Sequence, residues 1–216
     1  DYNRIKTYYY KDYTEQWGIP QGIGELSEHS HSHRSYRFTY QKRKLLRVSH
    51  VNSFDNLIDD GESERNERPV DQEFFYTENG NISRIKVKDR SGKVLYVKSY
   101  NDKLNVMAFQ YDDEHNTERV LSNSTVGYGR LLESNDNERG RISRWWIEYD
   151  ENGYTTSEKY YSLDNSPVGD ANGIYGRTYV RDDKGRPVEI HYIGIDGEPQ
   201  STKWGLGIKK FEYDSD

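Results

Sequence analysis

Apolar and polar residues alternate along short segments of this chain, and turn residues separate the segments. In the clearest case, residues 176–181 and 187–193 predict two strands, and Asp-Asp-Lys-Gly at 182–185 predicts the turn between them. An Asp-x-x-Gly turn provides the polar first residue and the position of positive φ that such a connection needs. Residues 77–80 and 150–153 also begin with a polar residue and end with a glycine. The sequence therefore predicts antiparallel hairpins.

The hairpin pattern recurs along the chain. At an offset of 32 residues, Asp150 falls on Asp182 and Tyr160 falls on Tyr192, with further coincidences of Gly, Asp and Pro. Upstream, an aromatic-x-Tyr element recurs at intervals of up to 38 residues, beginning at 38–40. Internal repeats of this length are typical of arrays in which each unit packs against its neighbours. We predict about six units, with the bounds 1–35 (partial), 36–73, 74–108, 109–146, 147–178, 179–210 and 211–216 (partial).

The predicted fold class is all-β, an elongated antiparallel β-meander in one layer, built from hairpin repeats of about 32 to 38 residues. Each unit is expected to contribute two strands joined by unlike turns, giving on the order of a dozen strands. Composition agrees, because the chain has only two alanines but 20 tyrosines, which disfavours helices and favours strands. Because aliphatic side chains are few, we expect a thin sheet whose faces are covered by aromatic rings.

The predicted array starts and stops in the middle of a unit. Residues 6–24 are similar to the second half of a unit, and residues 211–214 are similar to the first half. The terminal repeats of a complete array are usually atypical capping units. The sequence therefore favours a segment of a longer protein.

The charge balance and the cysteine count exclude some functional classes. The chain has 31 Lys and Arg against 37 Asp and Glu, a net charge of −6, and no cysteine. Without cysteine it has no disulfide scaffold and no thiolate metal site. The basic segment 42–47 lies among aromatic residues, a composition that suits single-stranded nucleic acid. A nucleic-acid-binding domain is expected to be markedly basic, so we interpret 42–47 as a solvated strand that protects a sheet edge and predict no nucleic-acid partner.

Hydropathy gives no sign of a membrane-inserted segment. No apolar run approaches the roughly 20 residues of a transmembrane helix. The first residues of the sequence do not have the pattern of a signal peptide. We predict no membrane insertion, and the cellular compartment stays open.

Motifs of catalysis are not found in the sequence. Gly-x-Gly triplets at 22–24, 127–129 and 205–207 recur with the repeat, and we interpret them as bends where strands enter the sheet. Neither a phosphate-binding loop nor a Rossmann glycine motif nor a nucleophile elbow is present. We therefore predict a protein that is not an enzyme and uses no cofactor. The competing hypothesis is an enzyme with a carboxylate pair, as in glycoside hydrolysis, and it requires a deep pocket with two carboxylates in unlike environments.

Aromatic residues are the remaining candidates for a binding surface. Trp and Tyr rings dominate binding hot spots because they lose little entropy when they are immobilised. The same rings can instead form the core of a thin sheet, and both arrangements can hold on opposite faces. We predict a noncatalytic scaffold or recognition module whose Tyr/Trp-rich face binds a protein partner or a neighbouring domain of the same polypeptide. The alternative is a carbohydrate-binding repeat domain, because aromatic rings also stack on sugars. The candidate binding residues are Trp17, Trp145, Trp146, Trp204, Tyr128 and Tyr175.

Tyr-Asp pairs and Asp-x-x-Gly turns occur together several times in the chain. The segments that contain them are Tyr111-Asp112, Tyr149-Asp150-Glu151-Asn152-Gly153, Arg177-Thr178-Tyr179, Asp182-Asp183-Lys184-Gly185-Arg186 and Tyr213-Asp214. These segments resemble the Tyr-Asp (YD) repeats of bacterial Rhs-type proteins, which form β-sheet shells or surface scaffolds and carry no catalysis themselves. A MORN-like single-layer sheet is the second resemblance. Because the period is longer than the usual YD spacing and the chain is too short for a closed shell, the resemblance implies a bacterial β-repeat scaffold and not encapsulation.

Three histidines, His29, His31 and His33, occupy alternate positions. In an extended segment their imidazoles face one side, which is a geometry that can hold Zn²⁺ or Ni²⁺. No fourth distant ligand is evident, and a polar loop or edge strand explains the same residues.

We therefore expect the chain to hold no stoichiometric zinc. Metal analysis of the purified protein after exhaustive dialysis should give far less than one ion per chain. A value of one zinc ion per chain would contradict this interpretation and would identify the histidine segment as a metal site.

Overall fold

The computed structural model of the protein describes residues 4–27, 34–58, 69–112, 117–119, 142–162, 164–170 and 172–214. Within these residues the fold contains fourteen strands and no helix. The predicted all-β antiparallel meander is thus confirmed. The strands are β1 (Lys6–Gln16), β2 (Ile19–Leu26), β3 (Ser35–Gln41), β4 (Lys44–Val51), β5 (Asp71–Tyr76), β6 (Ile82–Lys88), β7 (Val94–Tyr100), β8 (Val106–Asp112), β9 (Thr117–Arg119), β10 (Arg144–Tyr149), β11 (Thr155–Tyr161), β12 (Gly176–Arg181), β13 (Pro187–Ile193) and β14 (Ile208–Lys210).

The strands form one open sheet with antiparallel pairing throughout. The strand order is β2-β1-β3-β4-β5-β6-β7-β8-β10-β11-β12-β13-β14, and β9 pairs with β8 beside this path. The hairpin predicted over 176–193 is confirmed, because β12 and β13 have the predicted bounds and Tyr179 pairs with Ile190 between them. From β3 onward the sheet is therefore a succession of neighbouring strands, as a meander requires.

Tight turns of one kind join many of these strands. In the β12–β13 turn, the Gly185 N–H donates to the Asp182 carbonyl and the Asp182 N–H donates to the Arg186 carbonyl, both at 3.0 Å. The Asp182 carboxylate accepts two further backbone N–H groups at 2.8 and 3.1 Å, which fixes the turn. Gly80, Gly153 and Gly185 have φ of 87°, 82° and 77°, the positive values that the sequence predicts. The division into six units stays a prediction.

Alternation of side chains places the main core on one face of the sheet, which we call the inner face. Phe38, Ile85 and Tyr160 are completely buried there. A smaller cluster lies on the opposite face, where Val97 and Phe109 pair across β7 and β8. The core is rich in aromatic rings, as the composition indicates.

The β1–β2 hairpin folds back over the inner face. β1 pairs with β3 through residues 6–10 and with β2 through residues 9–16. Tyr13 of β1 is buried, and its ring meets the Tyr36 ring edge-on with centroids 4.9 Å apart. The sequence predicts a single layer, whereas part of the observed layer is covered by its own first hairpin. This cover removes apolar side chains from water, which is the main favourable contribution to folding.

The tip of this hairpin is anchored to strands that are distant in the sequence. The Trp17 N–H donates to the Gly153 carbonyl at 2.8 Å, and the Tyr100 hydroxyl donates to the Trp17 carbonyl at 2.9 Å. The buried ammonium group of Lys98 donates to the Gly18 carbonyl at 3.0 Å. Backbone groups that the two-residue turn leaves without a partner in the hairpin are therefore satisfied by the sheet below.

Gly153→Ala is expected to break this anchor. A Cβ on Gly153 would lie 2.7 Å from the Trp17 ring, and the residue has φ of 82°. Gly197→Ala is the matched control, because Gly197 has φ of 81° and its added Cβ would meet nothing within 4 Å. In urea denaturation we expect the control to lose about 1 kcal/mol from backbone strain, and Gly153→Ala to lose about 1–3 kcal/mol more. Equal losses would contradict the anchor.

Candidate functional site

An open groove of about 630 Å³ lies beside β1 and the turn between β3 and β4. Three tyrosines and four cationic side chains line it, and no described carboxylate does. We call it the basic tyrosine groove, and its lining residues are Arg4, Lys6, Tyr8, Tyr10, Tyr40, Lys42 and Arg43.

Strand geometry brings these residues together. Lys6, Tyr8 and Tyr10 are every second residue of β1, so their side chains share one face of the strand. Lys6 of β1 pairs with Tyr40 of β3, and this pairing places Tyr40 in the same groove. The alternation that begins at Arg4 is visible in the sequence, but only the pairing of β1 with β3 joins it to Tyr40.

The tyrosine rings form a packed floor of the groove. Tyr8 meets Tyr40 edge-on with ring centroids 5.8 Å apart, and Tyr10 meets Phe38 in the same way at 4.9 Å. The Tyr10 ring also lies on Gly22, where an added Cβ would come within 2.4 Å of it. These contacts order the rings before a ligand arrives, which reduces the entropy lost on binding.

Burial raises the pKa of two of the tyrosine hydroxyls that line the groove, those of Tyr10 and Tyr40. It raises the pKa of Tyr40 to about 12, with smaller effects from the neighbouring Tyr10, Tyr76 and Tyr8. Burial is also the main reason that the pKa of Tyr10 is raised, followed by the charge of Glu25 on β2. At neutral pH both hydroxyls are protonated, as any tyrosine hydroxyl is, and can donate a hydrogen bond.

The turn between β3 and β4 holds two of the cations in an unfavourable backbone conformation. Lys42 and Arg43 have φ of 50° and 65°, as in the type I′ turns that Asn-Gly usually forms. A residue with a side chain in this region costs about 1–2 kcal/mol. The strand expected over 42–47 begins two residues later, at Lys44, and no Gly or Asn in the sequence marks the turn. Strain of this kind is concentrated at functional sites.

The cations of the groove are not neutralised by the part of the chain that the structure describes. Arg4, Lys6, Lys42 and Arg43 are all exposed, and none of them forms an ion pair with a described carboxylate. Four positive charges thus share one groove in a chain whose net charge is −6. Such a local excess attracts negatively charged groups.

The four tryptophans of the predicted binding face do not share a surface. Trp145 is 2% exposed and belongs to the core, whereas Trp204 is 82% exposed at a turn. Trp17 is half-buried against Gly153, and Trp146 is half-buried on the opposite side of β10 from Trp145. The structure therefore separates residues that the sequence analysis grouped.

The remaining predicted site residues are not part of the basic tyrosine groove either. Tyr175 is 7% exposed and lies in the core. Tyr128 and the predicted metal-binding residues His29, His31 and His33 lie outside the described residues. A buried ring cannot contact a partner unless the sheet opens. The groove tyrosines are therefore better candidates for recognition than the rings of the core.

A second cavity, of about 530 Å³, lies between the β1–β2 tip and strands β10 to β13, and we call it the cleft. Two of its carboxylates have unlike environments. Glu158 is buried, its pKa is raised by that burial, and the Tyr179 hydroxyl donates to it at 2.6 Å. Glu15 is partly exposed and lies 3.6 Å from the Lys98 ammonium nitrogen. The cleft thus contains two carboxylates in unlike environments, which is one of the two features that the enzyme hypothesis requires.

The charged groups of the cleft are also engaged in holding the fold together. Lys98 binds the hairpin tip as described above. The Arg181 guanidinium donates to the Thr155 carbonyl at 3.0 and 3.2 Å and to the Gly185 carbonyl at 2.9 Å. Lys98 and Arg181 therefore each have a structural partner in the fold.

No protein-family model matches the chain, and no curated protein matches it. The resemblance to Tyr-Asp repeats therefore rests on the motif residues alone. In the described ranges, the structure contains no helix of the length and hydrophobicity needed to cross a membrane.

Glu158 is expected to make the stability depend on pH. A carboxyl group whose pKa is raised by folding binds more protons in the folded state, so its stabilising contribution is full below the ordinary value of 4.5 and is lost as the pH rises through the raised value. The free energy of unfolding of the parent chain minus that of Glu158→Gln should therefore decrease as the pH rises. Urea denaturation at several pH values measures this difference, with Glu151→Gln on the exposed β10–β11 turn as the control. A difference that stays flat or increases would contradict the raised pKa.

Proposed function

We propose that this chain is a noncatalytic recognition module that binds an acidic segment of a protein partner, or of a neighbouring domain, in the basic tyrosine groove. The observation that carries the proposal is the set of four cations, without described counter-ions, above a packed tyrosine floor. The proposal keeps the aromatic binding face expected from the sequence but moves it from the tryptophans to Tyr8, Tyr10 and Tyr40.

The two components of the groove have different roles in binding. The tyrosine rings supply contact area at low entropic cost and favour an extended segment with apolar or aromatic side chains. The cations at the groove supply orientation and speed of association, because exposed charges act mainly on steering and specificity. An acidic segment with an adjacent apolar residue satisfies both components.

The charge of the rest of the chain supports a short segment over a long polyanion. Outside the groove the chain carries more acidic than basic residues, since four positive charges lie in the groove and the net charge is −6. A long nucleic acid would extend beyond the groove, and the rest of the chain carries a net negative charge that opposes its binding. A segment of a few residues contacts the groove alone.

Carbohydrate binding is a second candidate function, and the exposure of Trp204 favours it. The ring is 82% exposed, with the Lys203 ammonium nitrogen 5.4 Å from its centre. An exposed indole is a suitable surface for stacking on a sugar. A shift of the intrinsic tryptophan fluorescence on addition of a soluble polysaccharide would favour this function over protein recognition.

The double variant Lys42→Asn/Arg43→Gly tests the groove with two readouts of opposite sign. Stability should increase by about 1 kcal/mol, because Asn-Gly is the favoured type I′ pair. Affinity for a fluorescein-labelled peptide of alternating Asp, Glu and Tyr should fall by about two- to tenfold, because two exposed charges are removed. Fluorescence anisotropy measures the affinity, and urea denaturation measures the stability.

The matched control is Arg90→Asn/Lys93→Gln, which removes two exposed cations from the β6–β7 turn. Its affinity for the peptide should equal that of the parent chain. Binding by the parent chain should also weaken as salt is raised, because exposed charges are screened. If the groove variant and the control bind equally well, the groove is not the site, and if the parent chain does not bind the peptide, the proposed function is wrong.

A further inference from the structure

The basic tyrosine groove is polarised along its length. Lys6 pairs with Tyr40 at one end of the β1–β3 ladder, and Tyr10 pairs with Tyr36 at the other end. Arg4 precedes Lys6 in the chain, and the Lys42-Arg43 turn follows Tyr40, so all four cations belong to the same end. The floor of Tyr8 and Tyr10 extends away from them.

The concentration of positive charge at one end differs from the distribution that would match an unmodified acidic peptide. In an extended peptide, successive carboxylates on one side are about 6.6–6.8 Å apart and carry one charge each. Cations that match such a ligand would be spread along the groove. Here one end is positive and the rest is aromatic, which suits a ligand with its negative charge concentrated in one group.

A phosphoryl ester has that distribution of charge. It carries a charge of about −1.5 to −2 at neutral pH and has three strong acceptor oxygens. Guanidinium groups such as those of Arg4 and Arg43 bind such oxygens in pairs, and ammonium groups such as that of Lys6 add point charges. The protonated hydroxyl of Tyr40 is a further donor at the same end.

We infer that the basic tyrosine groove recognises a phosphorylated tyrosine within the acidic segment, with the phosphoryl group at Arg4, Lys6, Lys42 and Arg43 and the aromatic ring on the floor of Tyr8 and Tyr10. This inference rests on the proposed function and adds the chemical class of the group that is bound. The strained turn is consistent with it, because Lys42 and Arg43 hold their positions at a cost in backbone energy that Asn-Gly would avoid.

The test compares two labelled peptides of identical acidic sequence, one with tyrosine and one with phosphotyrosine at the same position. The intact chain should bind the phosphorylated peptide about tenfold more tightly, because charge-assisted hydrogen bonds to a phosphoryl group are the stronger ones. The advantage should disappear in Lys42→Asn/Arg43→Gly and persist in Arg90→Asn/Lys93→Gln. Circular dichroism of both variants checks that the sheet is formed.

The pH dependence gives a second, independent readout. The second ionisation of a phosphoryl ester has a pKa of about 6, so its dianion falls about fourfold between pH 7.5 and 5.5, and the advantage of the phosphorylated peptide should fall with it. The described groups that face the ligand are the four cations and three tyrosines of the groove, with Glu25 on β2 beside Tyr10. These protein groups are the same in the complexes with both peptides. A change with pH in the ratio of the two affinities therefore reports the ionisation of the phosphoryl group.

The outcomes separate this inference from the proposed function. Equal binding of both peptides overturns the phosphotyrosine inference and leaves the acidic-segment function standing. If neither peptide binds, both the phosphotyrosine inference and the proposed function are wrong. A single-stranded oligonucleotide that binds the groove more tightly than the phosphorylated peptide also overturns the inference, because the groove would then recognise a polyanion.

Discussion

An apolar sheet face must be shielded from water, and the β1–β2 hairpin covers part of the inner face of this protein. The described strands form one sheet, so no second sheet packs on this face among them. Tyr13 on β1 packs on the rings below it, and the anchor between Trp17 and Gly153 holds the hairpin tip in place. Both cavities border this hairpin, because the first half of β1 lines the groove and its second half lines the cleft.

The groove and the cleft use charge in different ways. In the cleft, Lys98 pairs with the Gly18 carbonyl and with Glu15, and Arg181 pairs with backbone carbonyl groups. In the groove the cations are exposed and have no described counter-ions, and two of them occupy strained turn positions. Lys42 and Arg43 also lie where Asn-Gly would be more stable. These exposed cations are the observation on which the proposed binding role rests.

The parts of the fold that follow local rules could be predicted from the sequence, and the parts that depend on distant contacts could not. The β12–β13 hairpin was predicted because Asp182 and Gly185 mark its turn and the flanking residues alternate. The β3–β4 turn was missed because Lys42 and Arg43 have no turn signature, and their conformation follows from the pairing of the strands on either side.

The candidate site shows the same limit. Trp145 and Trp204 are the same residue type, and only the tertiary structure decides that one is buried and the other exposed. The groove forms because Lys6 pairs with Tyr40. The alternation of residues within β1 does not predict which strand pairs with it. The return of the first hairpin over the sheet joins residues more than a hundred positions apart, beyond the reach of any local pattern.

That return also fixes an order of events as the chain is synthesised. The residues of the groove lie between positions 4 and 43, so all of them are synthesised before β5. The hairpin tip cannot form its contacts until β7 and the β10–β11 turn have been synthesised. Contacts of high sequence separation form only after the intervening chain is present. In the nascent protein, the residues of the groove therefore emerge before the anchor of the hairpin tip can form.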